Sequence, residues 1–103
     1  MKVGIQLVYQ NYSGISDAEM FRTETRLGIE AEAMGFDFVS PVEHHFDDYA
    51  MFPDNTQLLS YIAGKTKRLQ LMTAAIILPW NDPLRVVEKC IMLDILSEGR
   101  LIV

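Results

Sequence analysis

Segments patterned for strand and segments patterned for helix alternate along this chain, and that alternation restricts the fold more than any other feature. Lys2–Tyr9 reads as a strand with Val3, Ile5, Leu7 and Tyr9 on one face. A polar turn at Gln10–Gly14 follows. Ser16 and Glu19 then stand three apart ahead of an apolar-periodic stretch. This capping box predicts a helix from Asp17 to about Met34, with Met20, Leu27, Ala31 and Met34 along one stripe. Gly35 supplies the left-handed residue that closes such a helix. Phe36–Glu43 is a second strand, in which Pro41 lacks the N–H a central strand needs and predicts a local break in pairing. His44–Asp54 is a long loop rich in acidic and aromatic residues. A helix from Asn55 to about Lys65 presents Leu58, Leu59, Ile62 and Ala63 on its apolar side. Leu69–Leu78 is a third strand, almost wholly apolar, as when both sheet faces are covered. After a turn at Pro79–Asp82, Pro83 suits the first position of a helix capped by Asp82. That helix runs to about Leu96 and is expected to bury Leu84, Val87 and Ile91, with Cys90 beside them. Ser97-Glu98-Gly99 turns the chain into a fourth strand, Arg100–Val103, and places Asp94 and Arg100 to pair across the turn.

The order is therefore βαβαβαβ. Helices between successive strands imply a parallel sheet with right-handed crossovers. A complete βα barrel needs roughly 200 residues or more. Residues 1–103 thus read as a single, incomplete α/β domain: a parallel half-barrel of four strands and three helices. A four-stranded flavodoxin-like or Rossmann-like sheet also fits the length, but no glycine-rich phosphate loop follows the first strand.

Half of the residues are hydrophobic, ample for a core, and the net charge of −5 comes with no basic cluster beyond Lys65-Thr66-Lys67-Arg68. Neither nucleic acid nor an anionic membrane surface suits that balance. The longest apolar run, Ala74 to Trp80, is too short to span a bilayer. The single cysteine, Cys90, makes no internal disulfide, and Met1-Lys2-Val3-Gly4-Ile5 has no signal-peptide layout. Both point to a reducing, cytoplasmic setting.

The chemistry concentrates in Val42-Glu43-His44-His45-Phe46-Asp47-Asp48, which holds both histidines. Open α/β sheets and βα barrels place ionisable groups at the carboxyl ends of their strands. Alternation sends Phe38, Ser40, Val42 and His44 to one face and Val39, Pro41, Glu43 and His45 to the other. The bland reading of His44 is a ring satisfied by a backbone carbonyl; the sharp one is a proton-transfer group. Glu43, His44 and His45 match metal ligands in type, yet three consecutive strand residues do not converge on one ion, so no metal is assigned. Asp47 and Asp48 read as a solvated loop pair, Tyr9 and Tyr12 as ordinary loop aromatics, and Met72 and Trp80 as core or rim packing.

Seven stretches carry a resemblance. They are Met1–Gly4, Gly35-Phe36-Asp37, Glu43-His44-His45-Phe46, Thr66–Leu69, Thr73–Pro79, Asp82–Arg85 and Leu93–Arg100. In this order and spacing the sequence resembles the amino-terminal half of the bacterial luciferase-like flavin monooxygenases. The resemblance implies a TIM-barrel-like fold, and an enzyme using reduced flavin (FMN) and O2 on a small organic substrate. Some relatives use a deazaflavin. It implies His44 as the catalytic residue near the reactive edge of the flavin, with Glu43 and His45 supporting. Ala74 and Ala75 match the place where the family bends strand three behind the flavin ring, often with a non-proline cis peptide. An imidazole, with an ordinary pKa of about 6.5, exchanges a proton near neutrality. The half-barrel is expected to be inactive alone and to associate with itself or with a complementing barrel half, because its sheet edges and inner face are open. Two other classes stand beside this reading: a non-catalytic flavin-binding or partner-subunit module, and a metal-dependent barrel hydrolase.

Overall fold

The computed structural model describes residues 1–46 and 49–103. Asp47 and Asp48, read above as a solvated pair, lie outside the described residues. Four strands, β1 (Gly4–Leu7), β2 (Phe38–Pro41), β3 (Gln70–Met72) and β4 (Leu101–Ile102), form one sheet in the order β1-β2-β3-β4, and every pairing is parallel. Three helices, α1 (Asp17–Glu30), α2 (Asn55–Ala63) and α3 (Pro83–Leu96), occupy the crossovers. The chain is an α/β half-barrel, as its alternating pattern implies.

The core lies between the sheet and the helices. Leu7, Val39 and Leu71 from the first three strands pack with Met20 and Ala31 of the α1 region, Leu58, Leu59 and Ile62 of α2, and Leu93 of α3. By alternation the neighbouring positions point away from the helices. The pairings set Gln6 beside Ser40 and Met72 beside Ile102, and the Val39–Leu71 pair one residue earlier brings the four to one level across that wall. Gly28 lets α1 approach the sheet, since a Cβ there would come within 2.7 Å of the Leu7 side chain.

Helix starts follow their caps. The Ser16 hydroxyl accepts from Glu19 N at 3.3 Å, Asp54 accepts from Gln57 N at 3.2 Å, and Asp82 accepts from Leu84 N at 2.9 Å. The ends differ from the sequence pattern. Helix α1 stops at Glu30, and hydrogen-bonded turns carry the chain to Gly35, whose φ of +87° reverses it. Met34 is consequently exposed rather than part of the buried stripe.

Strand β2 is shorter than Phe36–Glu43, and Pro41 shows why. Val42 N donates to Leu7 O toward β1, so the preceding N–H position faces β3, where proline has nothing to donate. Pairing with β1 continues to Pro41, whereas pairing with β3 stops at Val39. Strand β3 is cut further, from the expected Leu69–Leu78 to three residues. Past Thr73 the backbone groups turn to side chains of other segments, and Leu78–Trp80 forms a short 3-10 helix.

Helix α3 has the expected span but buries another face. Leu84, Val87 and Ile91 are 77%, 54% and 55% exposed, while Leu93 joins the core, Val86 is buried beside the Glu43 cleft and Cys90 is half-buried. The helix carries apolar residues well beyond the stripe it buries, so periodicity alone does not choose its inner face. Arg100 and Asp94 also take other partners. The guanidinium donates to the Thr66 hydroxyl and to the Leu69 and Ala63 carbonyls, and Asp94 Oδ1 accepts from Leu101 N.

Glu32 ties the start of β3 to the end of α1. Its carboxylate accepts from the backbone N–H groups of Lys67, Arg68 and Leu69, with the shortest contact 2.6 Å at Arg68. Burial works to raise the Glu32 pKa, but the N–H donors and the Arg68 charge outweigh it and hold the carboxyl below its ordinary value. A lowered folded-state pKa gives stability that is present above the unfolded carboxyl pKa of about 4.3 and is lost as pH falls through the folded value. Glu32→Gln is therefore expected to lower the melting temperature at pH 7, and the gap to the wild type should close on acidification. Thermal unfolding of both proteins between pH 7 and pH 3 checks this.

Candidate functional site

Strands β2 and β3 are parallel neighbours, so the segments leaving their carboxyl ends share one rim of the sheet. Residues 42–46 leave β2 there, and residues 73–77 leave β3 there. Glu43 is buried, at 6% exposure, in a narrow cleft with Asp54, Asn55, Asn81 and Lys89. His44 is exposed. The alternation read from the sequence thus persists beyond the last paired residue.

Glu43 is the centre of the rim. Its Oε2 accepts from Ile77 N at 2.9 Å, and its Oε1 lies 2.8 Å from His45 Nε2 and 3.4 Å from Asn81 Nδ2. A buried carboxylate is tolerated where donors surround it, and here three converge. The His45 ring stacks on Trp80 with centroids 4.9 Å apart and planes inclined by 19°. Glu43 and His45 therefore fasten the 77–81 turn onto the end of β2. His44 is fixed through its backbone, whose N–H donates to Phe52 O at 2.8 Å. Its ring meets Tyr49 edge-on at 6.2 Å and is not packed behind a helix.

The Ala74–Ala75 peptide bond is cis. Asn55, the first residue of α2, donates from Nδ2 to Ala75 O at 3.0 Å. The sequence pattern gives Asn55 no role beyond starting α2. A signal was available: Asp54 already caps the helix, so an amide buried at the next position needs a partner elsewhere. Asp54 also accepts from the Thr56 hydroxyl and from Lys89 Nζ of α3. Burial pushes its carboxyl up, but these bonds prevail and hold it below the ordinary carboxylate range.

Other candidates fall outside the rim chemistry. Tyr9 is a fully buried core residue, with ring centroids 4.9 Å from Phe21 and 4.4 Å from Phe52. Burial pushes its phenol up to about 12, against a smaller opposing effect of the Thr25 hydrogen bond, so it stays neutral at physiological pH. Burial likewise raises the Cys90 thiol. Among the described residues, no three His, Cys, Asp or Glu side chains gather as metal ligands. A groove of about 670 Å3 between α1 and α2, lined by Phe21, Ile29, Leu58 and Tyr61, touches none of the candidate residues.

A comparison with known families decides the relationship. The family described as luciferase-like monooxygenase matches residues 1–103. The chain belongs to the luciferase-like monooxygenase family. The alkanal monooxygenase alpha chain of Photorhabdus luminescens is 36% identical over 100 residues, covering 97% of this chain and 28% of that protein. The chain thus spans little more than a quarter of the length of that relative. Among solved structures, monooxygenase RslO1 from Streptomyces bottropensis superposes with a TM-score of 0.92 at 36% identity, over the whole of this chain and 32% of that one. The oxygenating constituent of 3,6-diketocamphane monooxygenase from Pseudomonas putida, a Type II Baeyer-Villiger monooxygenase solved with FMN, gives 0.89 at 23% identity, over 98% and 28% of the two chains. At that identity the likeness speaks for the fold. In this luciferase-like chain the matched region contains the entire Glu43–His45 rim and the Ala74–Ala75 segment.

Glu43→Ala leaves the Ile77 N–H and the His45 ring without their acceptor. The expected cost is about 1–3 kcal/mol in chemical denaturation. The emission of Trp80, the only tryptophan, should shift to the red as its stack on His45 loosens.

Proposed function

We propose that this chain is the amino-terminal part of a flavin-dependent monooxygenase, acting with reduced FMN and O2 on a small organic substrate. The observation that carries the reading is the shared rim: an exposed imidazole, His44, leaves the end of one strand, and Ala74 and Ala75, whose side chains shrink to methyls, leave the end of the next. A flat aromatic cofactor needs a wall of small side chains, because they let the backbone come close. It also needs a titratable group at its reactive edge. The residues present fit a flavin ring on both counts. Reduced flavin, when bound, supplies the electrons that activate oxygen.

The chain's own residues have distinct parts in this scheme. His44 is the catalytic residue and holds or releases a proton at an imidazole nitrogen. Its exposure leaves that nitrogen open to a ligand, while the Phe52 carbonyl fixes its backbone. Glu43 and His45 are positioning residues that keep the 77–81 turn in place. Ala74 and Ala75 form the surface against which the ring lies. A deazaflavin presents the same flat ring and remains the second reading for the cofactor. The FMN named with the Pseudomonas putida neighbour favours flavin. The chain as it stands is proposed to be inactive without the remaining strands, and its setting to be cytoplasmic.

The association reading rests on exposed apolar surface. Leu84, Val87, Ile91 and Ile95 form an outward stripe on α3, and β1 and β4 are open sheet edges. We propose that a second copy or a complementing polypeptide covers part of this surface; the designation "alpha chain" of the Photorhabdus luminescens relative supports a partner subunit.

Two measurements test these proposals. FMN, oxidised and photoreduced, is titrated into the full-length protein with flavin fluorescence and absorbance as readouts. His44→Ala is expected to retain flavin affinity within about twofold while oxygen-dependent turnover falls by about 10²–10⁴-fold, the usual contribution of a positioned acid or base. Unchanged turnover would remove His44 from the catalytic role. Light scattering of the 103-residue chain at low micromolar concentration should show a dimer or larger species, and a stable monomer would refute the association.

A further inference from the structure

We propose that Asn55 is a positioning residue for the cofactor wall, acting through the carbonyl of Ala75. The inference rests on the flavin reading and extends it to a side chain on a different element. Asn55 is 1% exposed, and its amide donates to Ala75 O at 3.0 Å across a sequence separation of 20 residues. Two residues later the same segment is held again, by Ile77 N donating to Glu43. The stretch 75–77 has therefore left the ladder of β3, and two buried side chains from different segments take over its hydrogen bonding.

The cleft that houses these groups supports a holding role over a binding role. Glu43, Asn55, Ile76 and Asn81 line it, and its volume is about 10 Å3. That is room for one water at most. No ligand enters there, so the polar groups inside serve the backbone. Asn55 is also well placed to be rigid, because Asp54 anchors the start of α2 to Gln57 N and to Lys89 of α3. The wall at Ala74 and Ala75 is thus referenced to two helices as well as to the strand.

Two substitutions in the full-length protein separate this role from a general contribution to folding. Asn55→Ala removes the donor. Asn55→Asp keeps the shape, and its carboxylate in the first helical turn suits the helix dipole, but it presents an oxygen to the Ala75 carbonyl. Both are expected to lower the melting temperature, to raise amide hydrogen exchange at Ile77 and, measured well below each variant's melting temperature, to weaken FMN binding about tenfold. On acidification the new carboxyl regains a proton to donate, so FMN affinity of Asn55→Asp relative to wild type at each pH should recover. Glu43 from the end of β2, Asp54 on the same turn and Lys89 from α3 are the other charged groups in the cleft, and the wild-type reference at each pH accounts for their titration. A simple folding role predicts that FMN affinity measured well below the melting temperature is unchanged at every pH, whatever the melting temperature does. If wild type binds FMN and both variants bind it equally, or exchange at Ile77 is unchanged, the positioning role is overturned and the flavin reading stands. If wild type binds no flavin in either redox state, the flavin reading falls and this inference falls with it.

Discussion

The third strand contributes three residues of ladder, and the segments at both of its ends carry backbone groups that no strand meets. Side chains meet them. At the entry, the Glu32 carboxylate collects three successive N–H groups. At the exit, Asn55 takes the Ala75 carbonyl and Glu43 takes the Ile77 N–H. Buried backbone groups without partners are costly, so these contacts decide where the strand starts, where it ends and what shape follows. The rest of the rim depends on that shape.

The same contacts explain the division of labour in the Glu-His-His run. A strand residue must point either toward the helices or away from them. Glu43 and His45 take the first direction and become structural, joined to each other, to the 77–81 turn and to Trp80. His44 takes the second and is left exposed, its ring edge-on to Tyr49. One sequence of three polar residues thus yields two side chains that hold the rim and one that is left exposed.

Much of this was legible in the residues. The caps at Ser16 and Asp82, the reversal at Gly35, the parallel order and the consequence of Pro41 all follow from local chemistry that tertiary context does not overturn. Other features depart from the sequence pattern for physical reasons. Helix α3 carries apolar residues well beyond the stripe it buries, so its pattern does not choose which of them is covered. The run Leu69–Leu78 has the composition of a buried strand, but composition does not register that Asn55 and Glu43, distant in sequence, compete for its backbone. Asn55 itself escaped notice because a helix start normally accounts for its polar residues by capping, and here Asp54 had already done so.

The level formed by Gln6, Ser40, Met72 and Ile102 has a consequence for whatever lies against it. Its β1–β2 half is wettable and its β3–β4 half is oily. A flat molecule laid across these positions would meet polar side chains on one margin and apolar ones on the other.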